Sequence, residues 1–519
     1  GMEHTSVLRP LYELEEKGVS VTIVACEKNG TISCEKIQQA IGKNTKAIVC
    51  THASNVTGDG NDIAQIGTLC EKYNLYFILD ASQTAGAAGI DMEQDHISAI
   101  CFTGHKGLFG PQGTGGIALA DGVCVKPLLS GGSGVHSFER KHPMELPAAL
   151  EAGTLNGHGI AGLHAALDWI KKTGIAAIHE KEMALAEQFQ RGIETIPGIH
   201  LYGGEKRVAA IVSCNLADLD SAYVSDCLAE DYGIATRAGV HCAPLMHTHF
   251  GTEKQGMVRF SFSCFNTTEE VEKAVRAMRD IAAENRGKVT AYVGAGGKTS
   301  AIRKRAETLR TEGKKVLILT TTKMMRPQEQ ELFAAYEQTG QQRAIPDAVS
   351  GWQECRTTEK KWKEQVQSFL DTYGCCVAGS LIPGTEKFGM LPEKLMEDLL
   401  YLADEILIEA DGSAHMPVKA PAEHEPVLFP YMEVVIVMGV HAIGKPLQEV
   451  CHRVDYAKKI LKCDADKIVT AADIRALAEQ GYAIPIQKQF PWMKISKVTG
   501  KDIKLCLTAE KKDKERDKQ

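Results

Sequence analysis

The chain has 519 residues, too many for one ordinary hydrophobic core, so two or three domains are expected. It is 44% apolar and 24% charged, with a formal net charge of −7. That composition excludes a disordered chain. No apolar run approaches the roughly 20 residues of a membrane span, and no concentrated basic face invites nucleic acid.

Residues 19–25, 47–50, 76–80 and 97–103 are apolar, strand-like runs, with helical stretches at 34–41 and 63–73 between them. This alternation predicts a mainly parallel α/β sheet, placed in a first domain over residues 1–165. The pattern then changes to long helices, 175–196 and 268–284, with short strands at 209–215 and 257–263, which predicts a smaller α+β lobe over 166–284. A polar joint at 285–288 precedes a fresh strand at 289–293 and a second α/β alternation, so a third domain is placed at 288–486. The segment 487–519 follows, and its charged end, 511–519, reads as a solvated tail. The 16 cysteines keep no framework spacing, and Gly1-Met2-Glu3-His4 has neither the basic nor the apolar part of a secretory signal. Reduced thiols in a cytoplasmic protein are therefore expected.

The chemistry of the first domain is read from two groups of residues. Strand 76–79 ends in Asp80-Ala81-Ser82-Gln83, and strand 97–102 ends in Thr103-Gly104-His105-Lys106 before a glycine-rich run. Ligands of open α/β sheets sit at the carboxyl ends of the strands, so an acid and an amine are expected beside one ligand. That pair suits pyridoxal phosphate (PLP): a lysine attaches the cofactor, and a carboxylate on the pyridinium nitrogen keeps the ring an electron sink. Singly, Asp80 reads as a helix cap and Lys106 as a surface lysine; with Asn55 at the end of an earlier strand, coincidence is the weaker explanation. These segments resemble the class V aminotransferase and cysteine desulfurase family, PLP fold type I. The resemblance implies that Asp80 holds the ring nitrogen and that Gln83 and Asn55 reach the ring hydroxyl. It further implies that Thr103 and His105 bind phosphate and that Lys106 carries the cofactor. Thr154, in Glu151-Ala152-Gly153-Thr154, matches the segment that reaches across a homodimer to the other subunit's phosphate. His4 matches the ring-stacking histidine, so the family's first helices, first strand and Gly-Thr phosphate loop are expected to lie outside this chain, leaving the large domain incomplete.

The second group concerns the reaction. In Thr236-Arg237-Ala238-Gly239-Val240-His241-Cys242 an arginine precedes a cysteine by five residues, and Arg259 follows in Met257-Val258-Arg259. Guanidinium forks bind carboxylates, and a thiolate can accept a chalcogen atom. The arrangement resembles the group II cysteine desulfurases and selenocysteine lyases. This implies cysteine or selenocysteine as substrate, Arg259 and Arg237 as carboxylate anchors, Cys242 as acceptor nucleophile, and an acceptor protein for the sulfur or selenium. A class V aminotransferase or a non-catalytic scaffold are the alternatives. A zinc cluster of His241, Cys242, His247 and His249 is a further one, less favoured because PLP chemistry already accounts for the loop.

In the third domain, strand 289–293 runs into Gly294-Ala295-Gly296-Gly297-Lys298-Thr299 at the start of a helix. Such a loop makes a phosphate nest in which Lys298 neutralises charge and the Thr299 hydroxyl reaches Mg²⁺, here in a form shorter than a full Walker A loop. Asp411, after strand 405–408, is the acid expected to hold the metal through water. A P-loop-like domain binding ATP or GTP with Mg²⁺ is expected, against a plain strand–helix turn. With Pro417-Val418-Lys419-Ala420-Pro421 and His424-Glu425-Pro426, these segments resemble the YqeC-type accessory proteins of selenium-dependent molybdenum hydroxylases. The two resemblances together imply delivery of selenium or sulfur to such a hydroxylase.

Overall fold

The structure is a computed structural model that describes residues 1–327, 333–337 and 350–499. The chain forms two compact units, Gly1–Ala282 and a second from Ala283 onward.

In the first unit β1 (Ala47–Thr51), β2 (Tyr76–Asp80), β3 (Ala99–Thr103) and β4 (Gly115–Leu119) form one sheet in that order. The first two pairings are parallel and the last is antiparallel. The helix Ile63–Tyr73 carries the chain from β1 to β2. Asp62 caps its start by accepting from the Gln65 N–H at 3.0 Å, and Asn74 ends it at φ 52°. It buries Ile63, Ile66, Gly67 and Cys70, a single face at helical spacing. Gly67 cannot be larger, because a Cβ there would lie 1.8 Å from the Asp95 carbonyl oxygen. In register, Thr51 stands opposite Asp80 and Asp80 opposite Cys101, so the carboxyl ends of the first three strands lie together.

The strand expected at 19–25 does not form. Its residues have no ladder partner among the described residues, and Val19 and Ile23 are 50% and 43% exposed. Branched side chains favour extended backbone, but a strand is stabilised by cross-strand neighbours, and here there are none. Conversely β4, built on Gly115 and Gly116, lies inside the run that the sequence marked only as glycine-rich.

The smaller part of this unit is the antiparallel sheet of β5 (Ile199–Tyr202), β6 (Ile211–Leu216) and β7 (Val258–Ser261). Phe189 of the helix Ile175–Ile193 lies on Phe260 of β7, with ring centroids 4.3 Å apart.

The second unit holds a nine-stranded sheet made from β8 (Lys288–Gly294), β9 (Val316–Thr320), β10 (Lys323–Met325), β11 (Phe333–Tyr336), β12 (Cys375–Leu381), β13 (Lys387–Gly389), β14 (Glu405–Glu409), β16 (Glu433–Met438) and β18 (Ile495–Thr499). Two short strands, β15 (Val418–Lys419) and β17 (Cys451–His452), pair separately. The order is β10-β13-β12-β9-β14-β8-β16-β18, with β11 on β12. From β12 to β18 the neighbours run parallel, and their residues are apolar on both faces, as a sheet covered on both sides requires. The chain leaves β8 for β9 on one side and β14 for β16 on the other. The ends of β8 and β14 therefore flank a topological switch point, where a crevice opens. β18 carries this sheet to Thr499, past the limit at 486 expected from sequence, while the tail at 511–519 lies outside the described residues. No described helix is long and apolar enough to cross a membrane.

Candidate functional site

The first unit gathers its charged residues around the ends of β2 and β3. Asp80 closes β2, is 9% exposed, and accepts the Ser82 N–H on Oδ1 at 2.9 Å. Thr103 closes β3; its Oγ1 lies 2.8 Å from His105 Nδ1. Lys106 follows in the turn, exposed as a residue, but its amine is pulled below the usual lysine value by desolvation. Asp80 opposes that shift and Arg259 and Arg237 add to it. His4 begins the helix Thr5–Glu16, and its pKa is lowered by desolvation and then by Lys106. Gln83 is half-buried in the turn after β2, and Thr154 is exposed in the segment after Leu150.

The cysteine loop is tied to this group by backbone bonds. Arg237 and Arg259 face each other in an antiparallel bridge, with N–H to carbonyl distances of 3.2 and 2.9 Å. Arg237 Nη2 lies 3.8 Å from Cys242 Sγ, and Arg259 Nη1 donates to the Asn55 carbonyl at 2.9 Å. Asn55 Nδ2 donates to the His241 carbonyl at 2.7 Å, and the Thr5 N–H donates to the Cys242 carbonyl at 2.8 Å. These bonds hold His241 and Cys242 at φ 53° and 56°, a left-handed conformation that costs a non-glycine residue energy. Burial beside Arg237 lowers the Arg259 guanidinium to about 10. Asn55 Oδ1 and Arg259 Nε are buried with no hydrogen-bond partner. Buried polar atoms left unpaired are costly, and these two belong to residues already joined by the Arg259–Asn55 bond.

His241 is bound inside the protein rather than aimed at a ligand. Its Nε2 must donate to the Arg237 carbonyl at 3.0 Å, because a carbonyl only accepts. Neutral Nδ1 then accepts from His247 Nε2 at 3.4 Å, and His247 Nδ1 accepts from Thr252 Oγ1 at 2.8 Å. This chain engages all four ring nitrogens, and His249 instead lies 3.4 Å from the Lys28 carbonyl oxygen. The zinc reading of the loop fails on this geometry.

The second unit places Gly294, Gly296 and Gly297 at the end of β8 and Lys298 at the start of the helix Lys298–Thr311, whose first turn has no side-chain cap. Gly296, at φ 76°, admits nothing larger, since a Cβ would meet the Pro417 carbonyl oxygen at 2.3 Å. Asp411, expected to be the open acid, is instead 0% exposed and fully engaged. It accepts from the Gly294 N–H at 3.0 and 3.1 Å, from Tyr482 Oη at 2.8 Å, and from Lys298 and Lys419 at 3.0 and 3.3 Å. Lys298 also donates to the Gly294 carbonyl at 2.6 Å. Lys419, itself 0% exposed, continues to Glu425, which takes Arg453 in a two-bond fork at 2.7 and 3.1 Å. Thr299 turns away from Asp411 and donates to Glu409 Oε2 at 2.8 Å. Burial raises the Glu409 carboxyl, with Lys298 and Thr299 opposing. Thr299 therefore pairs with Glu409 in this structure, and two ammonium groups lie on Asp411, the acid expected to hold the metal.

Glu409, Arg453 and Tyr482 were not singled out from the sequence, and Lys419 and Glu425 stood there only within family-like segments, without a role. Lys419 carried a signal, as a lysine inside the apolar run Val418-Lys419-Ala420. Tyr482 carried none, because a π-helical stretch, Leu477–Ala483, turns it toward Asp411.

Residues 1–274 match the family model described as aminotransferase class-V, and residues 290–455 match that described as YqeC protein. A probable cysteine desulfurase of Methanothermobacter thermautotrophicus is 33% identical over 286 residues, 54% of this chain and 72% of that protein. A cysteine desulfurase of Shigella flexneri is 29% identical over 54% of this chain and 69% of its own. Among solved structures, an apo cysteine desulfurase from Thermococcus onnurineus NA1 superposes with a TM-score of 0.52 at 29% identity, covering 55% of this chain and 71% of that one. An Escherichia coli cysteine desulfurase in an S-sulfonic acid form gives 0.51 at 28% identity, covering 55% and 70%. With its model spanning residues 1–274 and the sheet ends arranged as described, the chain belongs to the class-V aminotransferase family, and a YqeC domain follows in the same polypeptide.

Proposed function

We propose that the first unit is a PLP-dependent cysteine desulfurase or selenocysteine lyase that loads sulfur or selenium onto Cys242 for an acceptor protein. The observation that carries this reading is the Arg237–Arg259 backbone bridge with Arg237 Nη2 3.8 Å from Cys242 Sγ, which sets a carboxylate anchor beside a nucleophile. The residues present fit the cofactor that the family implies. Lys106 offers an amine of lowered pKa; Asp80 would hold the ring nitrogen, Thr103 and His105 would donate to the phosphate, Asn55, with its unpaired oxygen, and Gln83 would reach the ring hydroxyl, and His4 would stack on the ring. Bound there, PLP supplies an electron sink that weakens the substrate's carbon–chalcogen bond.

The protein's own groups do the rest. Arg259, its Nε unpaired, and Arg237 grip the substrate carboxylate in a fork and set the side chain toward Cys242. The Cys242 thiolate attacks the chalcogen; the new bond from Cys242 forms as the bond to the substrate carbon breaks. That carbon takes a proton, so alanine leaves and a persulfide or selenosulfide stays on Cys242. Thr154 is assigned to the phosphate of a second subunit in a homodimer, and the setting is the cytoplasm.

The second unit is read as a P-loop-like domain. Gly294, Gly296 and Gly297 cradle the phosphates of ATP or GTP, Lys298 neutralises them and Thr299 meets Mg²⁺. Hydrolysis or binding there gates delivery of the chalcogen to a selenium-dependent molybdenum hydroxylase.

The test is to add PLP to the purified chain, reduce with borohydride, and locate the adduct by mass spectrometry, followed by alanine release from cysteine and from selenocysteine. The expected outcome is reduced cofactor on Lys106 and turnover that Cys242→Ala abolishes without loss of the adduct. Turnover that survives Cys242→Ala would refute the acceptor role, and no adduct on Lys106 would refute the lyase reading.

A further inference from the structure

Two acids end β14, and their surroundings assign them different work. Asp411 is wholly enclosed: the Gly294 N–H reaches both its oxygens, Lys298 lies on Oδ1, and Lys419 and Tyr482 lie on Oδ2. A divalent cation placed there would face two ammonium groups within hydrogen-bond reach of the same carboxylate, with no solvent to screen them. Glu409 stands opposite Tyr292 of β8 and Thr320 of β9 in register, and its Oε2 takes the proton of the Thr299 hydroxyl at 2.8 Å. Its backbone carbonyl accepts from Thr320 Oγ1 at 2.9 Å, which fixes the main chain at this position.

A hydroxyl has one proton and two lone pairs. With the proton committed to Glu409, the lone pairs of Thr299 are left for a cation. Mg²⁺ takes oxygen ligands in near-octahedral array and commonly uses one or two protein groups together with ligand phosphates and water. Among the described residues no group of three or more His, Cys, Asp or Glu side chains could hold a metal alone, which suits an ion that arrives with phosphate.

We infer that Glu409, not Asp411, is the carboxylate that positions the divalent cation, by orienting the Thr299 hydroxyl toward it. Asp411 instead aligns Lys298 and the Gly294 amide. The inference rests on the nucleotide reading of the second unit and assigns the cation side of that site. Glu409 is a positioning residue, so its signature is a change in metal linkage rather than in phosphate binding.

The experiment titrates the full chain with fluorescent ATP and GTP analogues, with and without Mg²⁺, in the wild type and in Glu409→Gln, Thr299→Val, Thr299→Ser and Asp411→Asn. Mg²⁺ should tighten wild-type binding. Glu409→Gln should leave metal-free affinity within about twofold and cut the Mg²⁺ effect by about tenfold or more, the usual scale for losing a group that orients a metal ligand. Thr299→Val should do the same and Thr299→Ser should not. Asp411→Asn should weaken binding equally with and without Mg²⁺. A full Mg²⁺ effect in both Glu409→Gln and Thr299→Val, or its loss in Asp411→Asn alone, would overturn the assignment while leaving the nucleotide site intact. A wild-type chain that binds neither analogue with Mg²⁺ would remove the nucleotide reading and this inference together.

Discussion

Replacing His241 by asparagine should abolish a specific part of the acid sensitivity of the first unit. His241 is 2% exposed, and burial lowers its pKa from 6.5 to about 4. The neutral ring is the one the fold holds, since Nδ1 accepts from His247 while Nε2 donates to Arg237. The folded pKa is depressed, so below 6.5 the unfolded chain binds more protons. The stability is therefore complete above that value and is lost as pH falls toward 4. From those two values the loss between pH 7.5 and pH 5 is about 2 kcal/mol. Asparagine tolerates the positive φ of this position but does not titrate. Urea unfolding of the full chain, with pulse hydrogen exchange read on first-unit peptides, should show the advantage of wild type over His241→Asn shrinking by about 2 kcal/mol from pH 7.5 to pH 5. His52, also lowered to about 4, and the raised Asp59 and Glu182 are common to both proteins and cancel in the difference. An advantage that stays constant across this range would refute burial as the reason His241 is held neutral.

Arg259→Lys should lower kcat/KM for alanine release by on the order of 10- to 100-fold, because a point charge cannot both hold the Asn55 carbonyl and fork a substrate carboxylate; unchanged kcat/KM would remove Arg259 from substrate binding. Tyr482→Phe deletes the hydrogen bond to Asp411 and should cost the second unit about 1.5–3 kcal/mol, as for other bonds to charged groups. Urea denaturation read on second-unit peptides measures it, and no loss would mean that the lysines alone satisfy Asp411.

What could be read in advance follows a physical division. The strands ending at Asp80 and Thr103 and the strand entering Gly294 were legible because fully buried strands are continuous apolar runs, and their ends are marked by polar residues and glycines. The helix Ile63–Tyr73 was legible as a helical stretch between two strand-like runs. The segment at 19–25 misled because strand composition says only that backbone is content to be extended, while pairing depends on a neighbour that local sequence does not specify. β18 was missed for the reverse reason: its ladder with β16 joins residues some sixty positions apart in the chain. The residues of the two charge clusters were mostly visible, since charged side chains at strand ends are conspicuous, but their partners were not.

Burial is what separates the roles of two acids that look alike in sequence. Asp80 and Asp411 both follow an apolar strand in a parallel sheet, and both have a lysine within the same cluster. Around Asp80 the lysine amine is desolvated but reachable, and nearby Asn55 Oδ1 and Arg259 Nε are left unpaired, an arrangement whose deficit a polar ligand can remove. Around Asp411 every bond is already made, and two lysines, a tyrosine and a backbone amide enclose it completely. A buried charge pair so fully satisfied is costly to open, and removing one partner leaves a charge uncompensated. The first acid stands beside groups whose polar atoms are still unpaired, and the second ties the Gly294 amide to Lys298, Lys419 and Tyr482. Glu409, two residues earlier at the end of β14, instead takes the Thr299 hydroxyl.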